Sequence, residues 1–219
     1  MSVTEIFYVK NQSISKSLIR EIDLEKQNDQ KHSYHMCPVW NHKAKRTFIA
    51  LSPVDYSFSV DLENQNIIHH DDSFDNPDES NKMFLMPDNL VSPHPTVQVT
   101  IPSYIFWCKE PNVWIEYRDH PLTSVKNNFI AIGGWFSLSN HPRDGSLGMK
   151  IYDETKPVIV EKNDPVYKLC FHPTDLTNEI ELIESDSVPS EIKDLFNLNQ
   201  EKKFKRDPSF FTEVLFPSR

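Results

Sequence analysis

The placement of glycine constrains this chain more than any other feature of its sequence. The 219 residues contain four glycines, and all four lie between Phe129 and His172. A typical protein contains about 7% glycine, so the residue is scarce here and concentrated in one region. Because glycine tolerates positive φ angles and close backbone approach, we expect a strand over Phe129–Leu138 with a bulge or a positive φ angle at Gly133 or Gly134.

Short alternating segments separated by turn residues run through the rest of the sequence. In the predicted strand Val166–His172, Tyr167, Leu169 and Phe171 fall on one face. The other predicted strands are Thr47–Leu51, Tyr56–Asp61, Thr96–Ile101, Tyr104–Cys108, Val113–Arg118, Leu147–Tyr152 and Pro157–Glu161, with the fourth and fifth expected to form a hairpin. This pattern is typical of a mainly β protein, an antiparallel β-sandwich or jelly-roll-like domain with a C-terminal helix and tail.

The two ends of the chain differ from this β-rich middle. One apolar stripe predicts a short helix within Ser13–Leu24, and another predicts a helix over Ser190–Phe204, followed by a tail with three phenylalanines. We expect this helix and tail to dock on the body of the same chain. The length and the 16 prolines favour a single β-rich domain, residues 1–219, with a core at about 32–173 and a helical extension at about 187–219.

Charge and cysteine usage restrict the setting in which the protein acts. The formal net charge is −9, which disfavours nucleic acid as a partner, and we expect no membrane association because no apolar run is long enough to span a bilayer. Met1–Lys10 lacks the pattern of a signal peptide. The chain has an odd number of cysteines, and they lie far apart in the sequence, at Cys37, Cys108 and Cys170. This indicates reduced thiols and a cytoplasmic location.

The sequence contains the short motifs Cys37-Pro38-x-Trp40, Ser52-Pro53-x-Asp55, Gly133-x-Trp135-Phe136 and Asn163-Asp164-Pro165. Together these four motifs resemble those of an uncharacterised family of proteins from bacteria and tailed phages. The resemblance covers roughly Cys37–Phe171 and implies no activity. It implies the host cytoplasm as the location if the chain is phage-encoded. The last strands also look like the end of a cupin-type jelly roll, a similarity shared by many β-sandwiches.

Histidine, cysteine and acidic residues suggest a metal centre. The local groups are His32-x-x-His35-x-Cys37, His69-His70-Asp71-Asp72 and Cys170-x-His172. Residues i and i+2 of a strand share a face, which favours the third group. The second matches the local half of a two-histidine, one-carboxylate iron site. The candidate ligands are His35, Cys37, His70, Asp72, His141 and His172. The alternative is a buried structural Cys170 with solvated histidines.

Aromatic residues concentrate on the strands near the glycines. They suggest a binding face for a ring, a sugar or a peptide, with charged residues beside the tryptophans. The candidate binding residues are Trp107, Trp114, Glu116, Arg118 and Trp135. The alternative is that these aromatic side chains belong to the core, since large aromatic residues dominate core burial.

The predicted function is a non-enzymatic binding or structural protein, phage-associated if the family resemblance holds. It acts through the aromatic face or by self-association, on a protein or small ligand that the sequence does not identify. The sequence leaves open whether the chain forms a homo-oligomer. In this hypothesis no cofactor is expected. The alternative is a metal-dependent jelly-roll enzyme that uses non-heme iron or zinc. Its catalytic residues are unknown, because nucleophile-elbow, P-loop and dinucleotide-binding motifs are absent from the sequence.

Overall fold

The computed structural model describes most of the chain. The described residues are 2–9, 18–21, 37–52, 54–64, 66–70, 82–85, 95–100, 105–139, 141–144, 147–205, 207–210 and 212. In chain order the strands are β1 (Val3–Val9), β2 (Leu18–Arg20), β3 (Thr47–Leu51), β4 (Tyr56–Asp61), β5 (Asn66–His69), β6 (Lys82–Leu85), β7 (Thr96–Thr100), β8 (Ile105–Trp107), β9 (Trp114–Asp119), β10 (Phe129–Ala131), β11 (Gly134–Ser137), β12 (Arg143–Asp144), β13 (Leu147–Ile151), β14 (Val158–Val160), β15 (Pro165–His172) and β16 (Glu179–Glu184). The helices are α1 (Pro38–Ala44), α2 (Pro121–Asn127) and α3 (Ser190–Phe204).

The described strands form four sheets. Sheet I has the order β12-β8-β1-β16, sheet II β11-β9-β15-β3-β2, sheet III β10-β13-β7-β6 and sheet IV β14-β4-β5. Strands β1 and β16 pair in parallel, and the other described pairings are antiparallel. The prediction of a mainly β, antiparallel sandwich-like or jelly-roll-like fold with a C-terminal helix is confirmed.

Alternation within the strands of sheet II builds the core. Ile115 of β9 and Leu169 and Phe171 of β15 are fully buried, as their shared face requires. Buried side chains of the other sheets complete the same apolar cluster, among them Ile6, Phe58 and Met149. A core of this extent stabilises the fold mainly by removing apolar area from water. The division of the chain into domains stays a prediction.

Strands that are neighbours in sequence often lie in different sheets. The hairpin predicted for Tyr104–Cys108 and Val113–Arg118 is wrong, because β8 pairs within sheet I and β9 within sheet II. The pairs β3 and β4, and β14 and β15, are divided between sheets in the same way. Asn112 and Asn163 adopt positive φ angles of 58° and 71° in two of these connections, a conformation that asparagine tolerates well.

The predicted strand Phe129–Leu138 is interrupted at Ile132 and Gly133. Strand β10 ends at Ala131 and β11 begins at Gly134, and the two lie in sheets III and II. Of the two alternatives expected at Gly133 or Gly134, a bulge or a positive φ angle, the second does not occur, because no described glycine has a positive φ angle. Instead, a Cβ on Gly133 would lie 2.8 Å from the carbonyl oxygen of Tyr117. Gly133 is therefore needed for close backbone approach.

The helices show where local sequence reasoning succeeded and failed. Helix α3 has the predicted bounds, whereas α1 and α2 were not predicted; each begins with proline, which suits the first turn of a helix. The helix predicted within Ser13–Leu24 is wrong at Leu18–Arg20, which pair with β3 as strand β2; residues 13–17 and 22–24 lie outside the described residues. In the described part of the chain, no helix has the length and apolar character needed to cross a membrane.

The C-terminal segment packs on the body of the same chain. Asn199 of α3 is buried, and its amide nitrogen lies 3.2 Å from Nδ1 of His141. The ring of Phe210 meets the same imidazole edge-on, with 5.6 Å between ring centroids. His141 thus connects two parts of the segment to the loop before β12, in agreement with the expectation of docking within one chain.

Candidate metal centre

Three side chains of types that can bind metal ions meet on the outer face of sheet II. Glu116 of β9 lies opposite Cys170 of β15, and His172 is two residues further along the same strand. On the other side of Glu116, Trp135 of β11 occupies the paired position. Because paired residues and i, i+2 neighbours project from one face of a sheet, these four side chains converge although they come from three separate stretches of sequence.

Hydrogen bonds occupy both oxygens of the Glu116 carboxylate. Its Oε2 lies 2.9 Å from Nε2 of His172, and its Oε1 accepts a hydrogen bond of 2.5 Å from Nε of Arg118. The indole of Trp135 covers the imidazole of His172. Glu116 is nearly inaccessible to solvent, whereas the side chain of His172 retains 20% of its exposed surface. The cluster therefore opens toward solvent on the His172 side.

The donor atoms of this cluster are close enough to hold one ion. One oxygen of Glu116, Sγ of Cys170 and one ring nitrogen of His172 lie within 4.8 Å of one another. Ligands of a tetrahedral zinc ion lie about 3.5 Å apart, so a shift of roughly 1 Å would complete the geometry. Among the described residues, no other group of three or more histidine, cysteine or acidic side chains has its donor atoms this close together.

The protonation states suit a metal site in two of the three positions. Burial raises the pKa of Glu116, but the hydrogen bonds from Arg118 and His172 outweigh it and hold the pKa below its usual value. Burial lowers the pKa of His172 despite the opposing effect of Glu116. A carboxylate and a neutral imidazole are the forms that bind metal ions.

The thiol of Cys170 is held in its protonated form without a metal. Burial raises its pKa, and a hydrogen bond with Thr47 and the positive charges of Arg46 and Arg118 reduce that rise only in part. A bound metal ion would displace the proton. Cys170 is 1% exposed, so a substrate cannot reach its sulfur directly. A role as a free nucleophile, which requires an accessible thiolate, does not fit this position.

Those candidate ligands from the sequence that the structure describes do not meet at one place. Of the predicted set, His172 belongs to the cluster, while His141 is buried against Asn199 and Phe210. The Nε2 atom of His70 lies 2.7 Å from the Ser59 hydroxyl, next to sheet IV. Cys37 is exposed at the start of α1. His35 and Asp72 lie outside the described residues.

The candidate binding residues divide between two sheets. Trp114, Glu116, Arg118 and Trp135 share the outer face of sheet II, beside the metal cluster. Trp107 is buried in sheet I, where its ring stacks on Phe7 at 5.9 Å. That position agrees with the core alternative, and the binding roles of the other four stay predictions.

Sequence reasoning identified the pair Cys170 and His172 but missed the residues around it. Glu116 was considered only as a neighbour of tryptophan, because its position opposite Cys170 depends on the pairing of β9 with β15. Arg46 was also missed. The one signal in the sequence is its place directly before the apolar strand β3.

Comparison with known proteins gives likenesses in structure alone. No protein-family model matches the chain, and no curated protein matches it. Among solved structures, the native dUTPase of EIAV is 9% identical with a TM-score of 0.36, and the match covers 78% of this chain and 91% of that one. A mutant dUTPase of Staphylococcus bacteriophage 80alpha with dUpNHpp is 7% identical with a TM-score of 0.38, covering 85% and 92%.

These comparisons correct the predicted function. The two structures named above are dUTPases, which are enzymes, and this finding contradicts the prediction of a non-enzymatic binding or structural protein. At identities of 7–9% and TM-scores below 0.5, the likeness transfers neither a substrate nor catalytic residues to this chain. Any assignment of chemistry has to come from the side chains described above.

Proposed function

We propose that this protein is a metal-dependent enzyme whose metal ion is bound by Glu116, Cys170 and His172. The convergence of these three donors on one face of sheet II carries the proposal. Each donor comes from a paired strand rather than a loop, so the backbone holds the ligands without a further ordering cost. Three protein ligands and an open side are the arrangement of catalytic zinc sites, whereas structural sites have four.

Zinc fits the donor set better than iron. The common non-heme iron site uses two histidines and one carboxylate, and the cluster offers one histidine. Thiolate, imidazole and carboxylate together are borderline-soft ligands that suit zinc. A bound zinc ion would lower the pKa of a water molecule and make it a nucleophile at neutral pH. The reaction class that follows is hydrolysis.

The surrounding side chains would perform the positioning. Arg118 holds Glu116 in place through its hydrogen bond to Oε1, leaving Oε2 directed toward His172. Trp135 fixes the plane of the imidazole by stacking. Such outer contacts orient metal ligands and strengthen metal binding. Trp135 also keeps bulk water from one face of His172, which strengthens electrostatic effects inside the site.

Metal analysis of protein purified without a histidine tag tests this proposal. We expect about one zinc ion per chain, as the three donors can hold a single ion. The variants Cys170→Ser and His172→Ala should lose the ion. A cobalt-substituted protein should show thiolate-to-cobalt charge-transfer absorption that disappears in Cys170→Ser.

Matched controls come from the other predicted ligands. Cys37→Ser and His70→Ala remove the same residue types from exposed positions and should leave the metal content unchanged. Metal-free wild-type protein after growth with added zinc, or loss of metal in these two controls alone, would refute the assignment.

A further inference from the structure

Arg46 is held in an unusual position next to the proposed metal centre. It lies between the end of α1 and the start of β3, and its carbonyl oxygen accepts a 3.0 Å hydrogen bond from the backbone of Phe171. Phe171 separates Cys170 from His172 in β15.

The guanidinium of Arg46 is only partly satisfied. His42 of α1 contributes its carbonyl oxygen at 3.4 Å from Nε and its Nδ1 at 3.3 Å from Nη2. The Nη1 atom is buried and has no hydrogen-bond partner among the described residues, and Arg46 as a whole is 7% exposed. Buried charged donors are normally paired because desolvation is costly. An unpaired one therefore indicates a site for an acceptor.

Arg46 also lines a cleft that contains a second cation, Lys45. The cleft has a volume of about 290 Å³ and is bordered by residues of α1 and of the segment leading into β16. Its lining residues are His42, Lys45, Arg46, Thr177, Asn178 and Glu179. Its one carboxylate, Glu179, lies 3.7 Å from Nζ of Lys45. That pair is half exposed and weak, so an anion that binds Lys45 more tightly can displace the Glu179 carboxylate from it.

We propose that this cleft is an oxyanion-binding site in which Arg46 receives the phosphate or carboxylate group of the substrate. The guanidinium fork matches both groups. Nη1 is buried in this structure, so it would have to become accessible to the cleft before a charge-assisted hydrogen bond from it completes the bonding of Arg46. Only the identity of the anion as substrate rests on the proposed enzymatic function; anion binding itself does not require the metal.

The charges of the two sites favour the same class of substrate. A zinc ion would be balanced by the Glu116 carboxylate and the Cys170 thiolate, which leaves the positive charges of Arg46 and Arg118. On a chain with a formal net charge of −9, such a local positive field attracts anions to this one place. The inferred substrate is an anionic ester or amide whose charged group lies in the cleft beside the hydrolytic site.

Calorimetric titration of metal-free protein tests the site with inorganic phosphate and, separately, with acetate. The anion with the lower dissociation constant identifies the class, phosphate or carboxylate, that the site binds. Arg46→Met keeps the length of the side chain but removes the charge, and it should weaken binding by about tenfold or more. Lys156→Met, which removes one exposed charge from a different cleft, should bind like the wild type.

A stability measurement separates binding from a structural role. Because Arg46→Met removes a buried charge that is only partly hydrogen-bonded, its melting temperature without anion should equal or exceed that of the wild type. If this variant does not fold, Arg46→Lys, which retains the charge but loses the guanidinium fork, should still weaken anion binding. Unchanged affinity in Arg46→Lys and Arg46→Met, or no binding to the wild type, would overturn the inference. Zinc content is measured independently, so either proposal can fail alone.

Discussion

The indole of Trp135 stacks on the imidazole of His172, with 4.2 Å between ring centroids and 21° between ring planes. Trp135 remains 48% exposed, so it covers a buried cluster on one side and faces solvent on the other. The stack connects an edge strand of sheet II to the central strand β15 across β9. It is the contact through which the aromatic face and the candidate metal centre form one surface.

A double-mutant cycle between Trp135 and His172 should measure this stack. We expect a coupling of about 0.5–1.5 kcal/mol in the free energy of unfolding, the range found for aromatic pairs. The cycle uses Trp135→Ala, His172→Ala and the double variant in urea unfolding of metal-free protein. Trp135→Phe, which retains a stacking ring, should keep most of the stability. If the free-energy losses of the two single variants add up to the loss of the double variant, the contact contributes nothing.

Glu116→Gln should destabilise the protein because it weakens two hydrogen bonds at once. The neutral amide replaces the carboxylate that accepts from Arg118 and lies against His172, leaving a partly buried guanidinium with a poorer partner. We expect a loss of about 1–3 kcal/mol in the free energy of unfolding. Glu161→Gln, at an exposed ion pair with Lys126, is the control and should cost well under that amount. Equal effects of the two variants would contradict the arrangement.

Gly133→Ala should destabilise more than Gly148→Ala. At Gly133 the added methyl group meets the backbone carbonyl of Tyr117 at 2.8 Å, and neither β9 nor β11 can yield without shifting the sheet. At Gly148 it meets the side chain of Ile132 at 3.2 Å, which can rotate. The expected cost at Gly133 is about 1–3 kcal/mol. Chemical denaturation of both variants checks the order, and a reversed order would remove the close-approach argument.

Phe210→Ala should lower stability without changing the oligomeric state. Phe210 is 5% exposed and contacts His141, so truncation of its ring should cost about 3 kcal/mol or more. Leu198→Ala, at a half-exposed position of α3, is the matched control and should cost far less. Melting temperature and light scattering provide the two readouts. A change in molecular mass with Phe210→Ala would instead indicate that the segment docks between copies of the chain.

The protein should lose stability as the pH falls below about 6.5, in part because of His120. Burial lowers the pKa of His120, with Lys168 acting in the same direction and Asp119 and Glu21 opposing. The folded state therefore binds fewer protons at this group than the unfolded state. The stabilisation that the neutral imidazole provides is fully present above the pKa that His120 has in the unfolded state. It is lost as the pH falls through the pKa that His120 has in the folded state.

Urea unfolding at several pH values between about 7.5 and 5 measures this dependence. In His120→Asn the loss of stability on acidification should be smaller than in the wild type. His70→Asn, at an exposed histidine, serves as the control and should follow the wild type. An identical pH profile in His120→Asn would show that the imidazole does not contribute.

Local sequence patterns were sufficient for many of the elements. The bounds of α3 and the buried face of β15 follow from short-range periodicity, because side-chain direction repeats every 3.6 residues in a helix and every two in a strand. Asn112 and Asn163, which adopt positive φ angles, lie between strands that the sequence predicts, whereas Asn128 ends a helix that it does not predict. The same reasoning failed at Leu18–Arg20, where pairing with β3 overrides the helical pattern.

The partner of each strand, and with it the candidate site, depends on the tertiary structure. Cys170 and His172 are adjacent on any extended strand, but Glu116 joins them only because β9 pairs with β15 in one particular register. A shift of one residue would turn Glu116 toward the core and Ile115 toward the site. Arg46 reaches the same place through its backbone bond to Phe171. Sequence alone therefore determined which residues are extended and which side of each strand is apolar, since these are local properties; hydrogen bonding and core packing between distant segments decided which polar side chains meet.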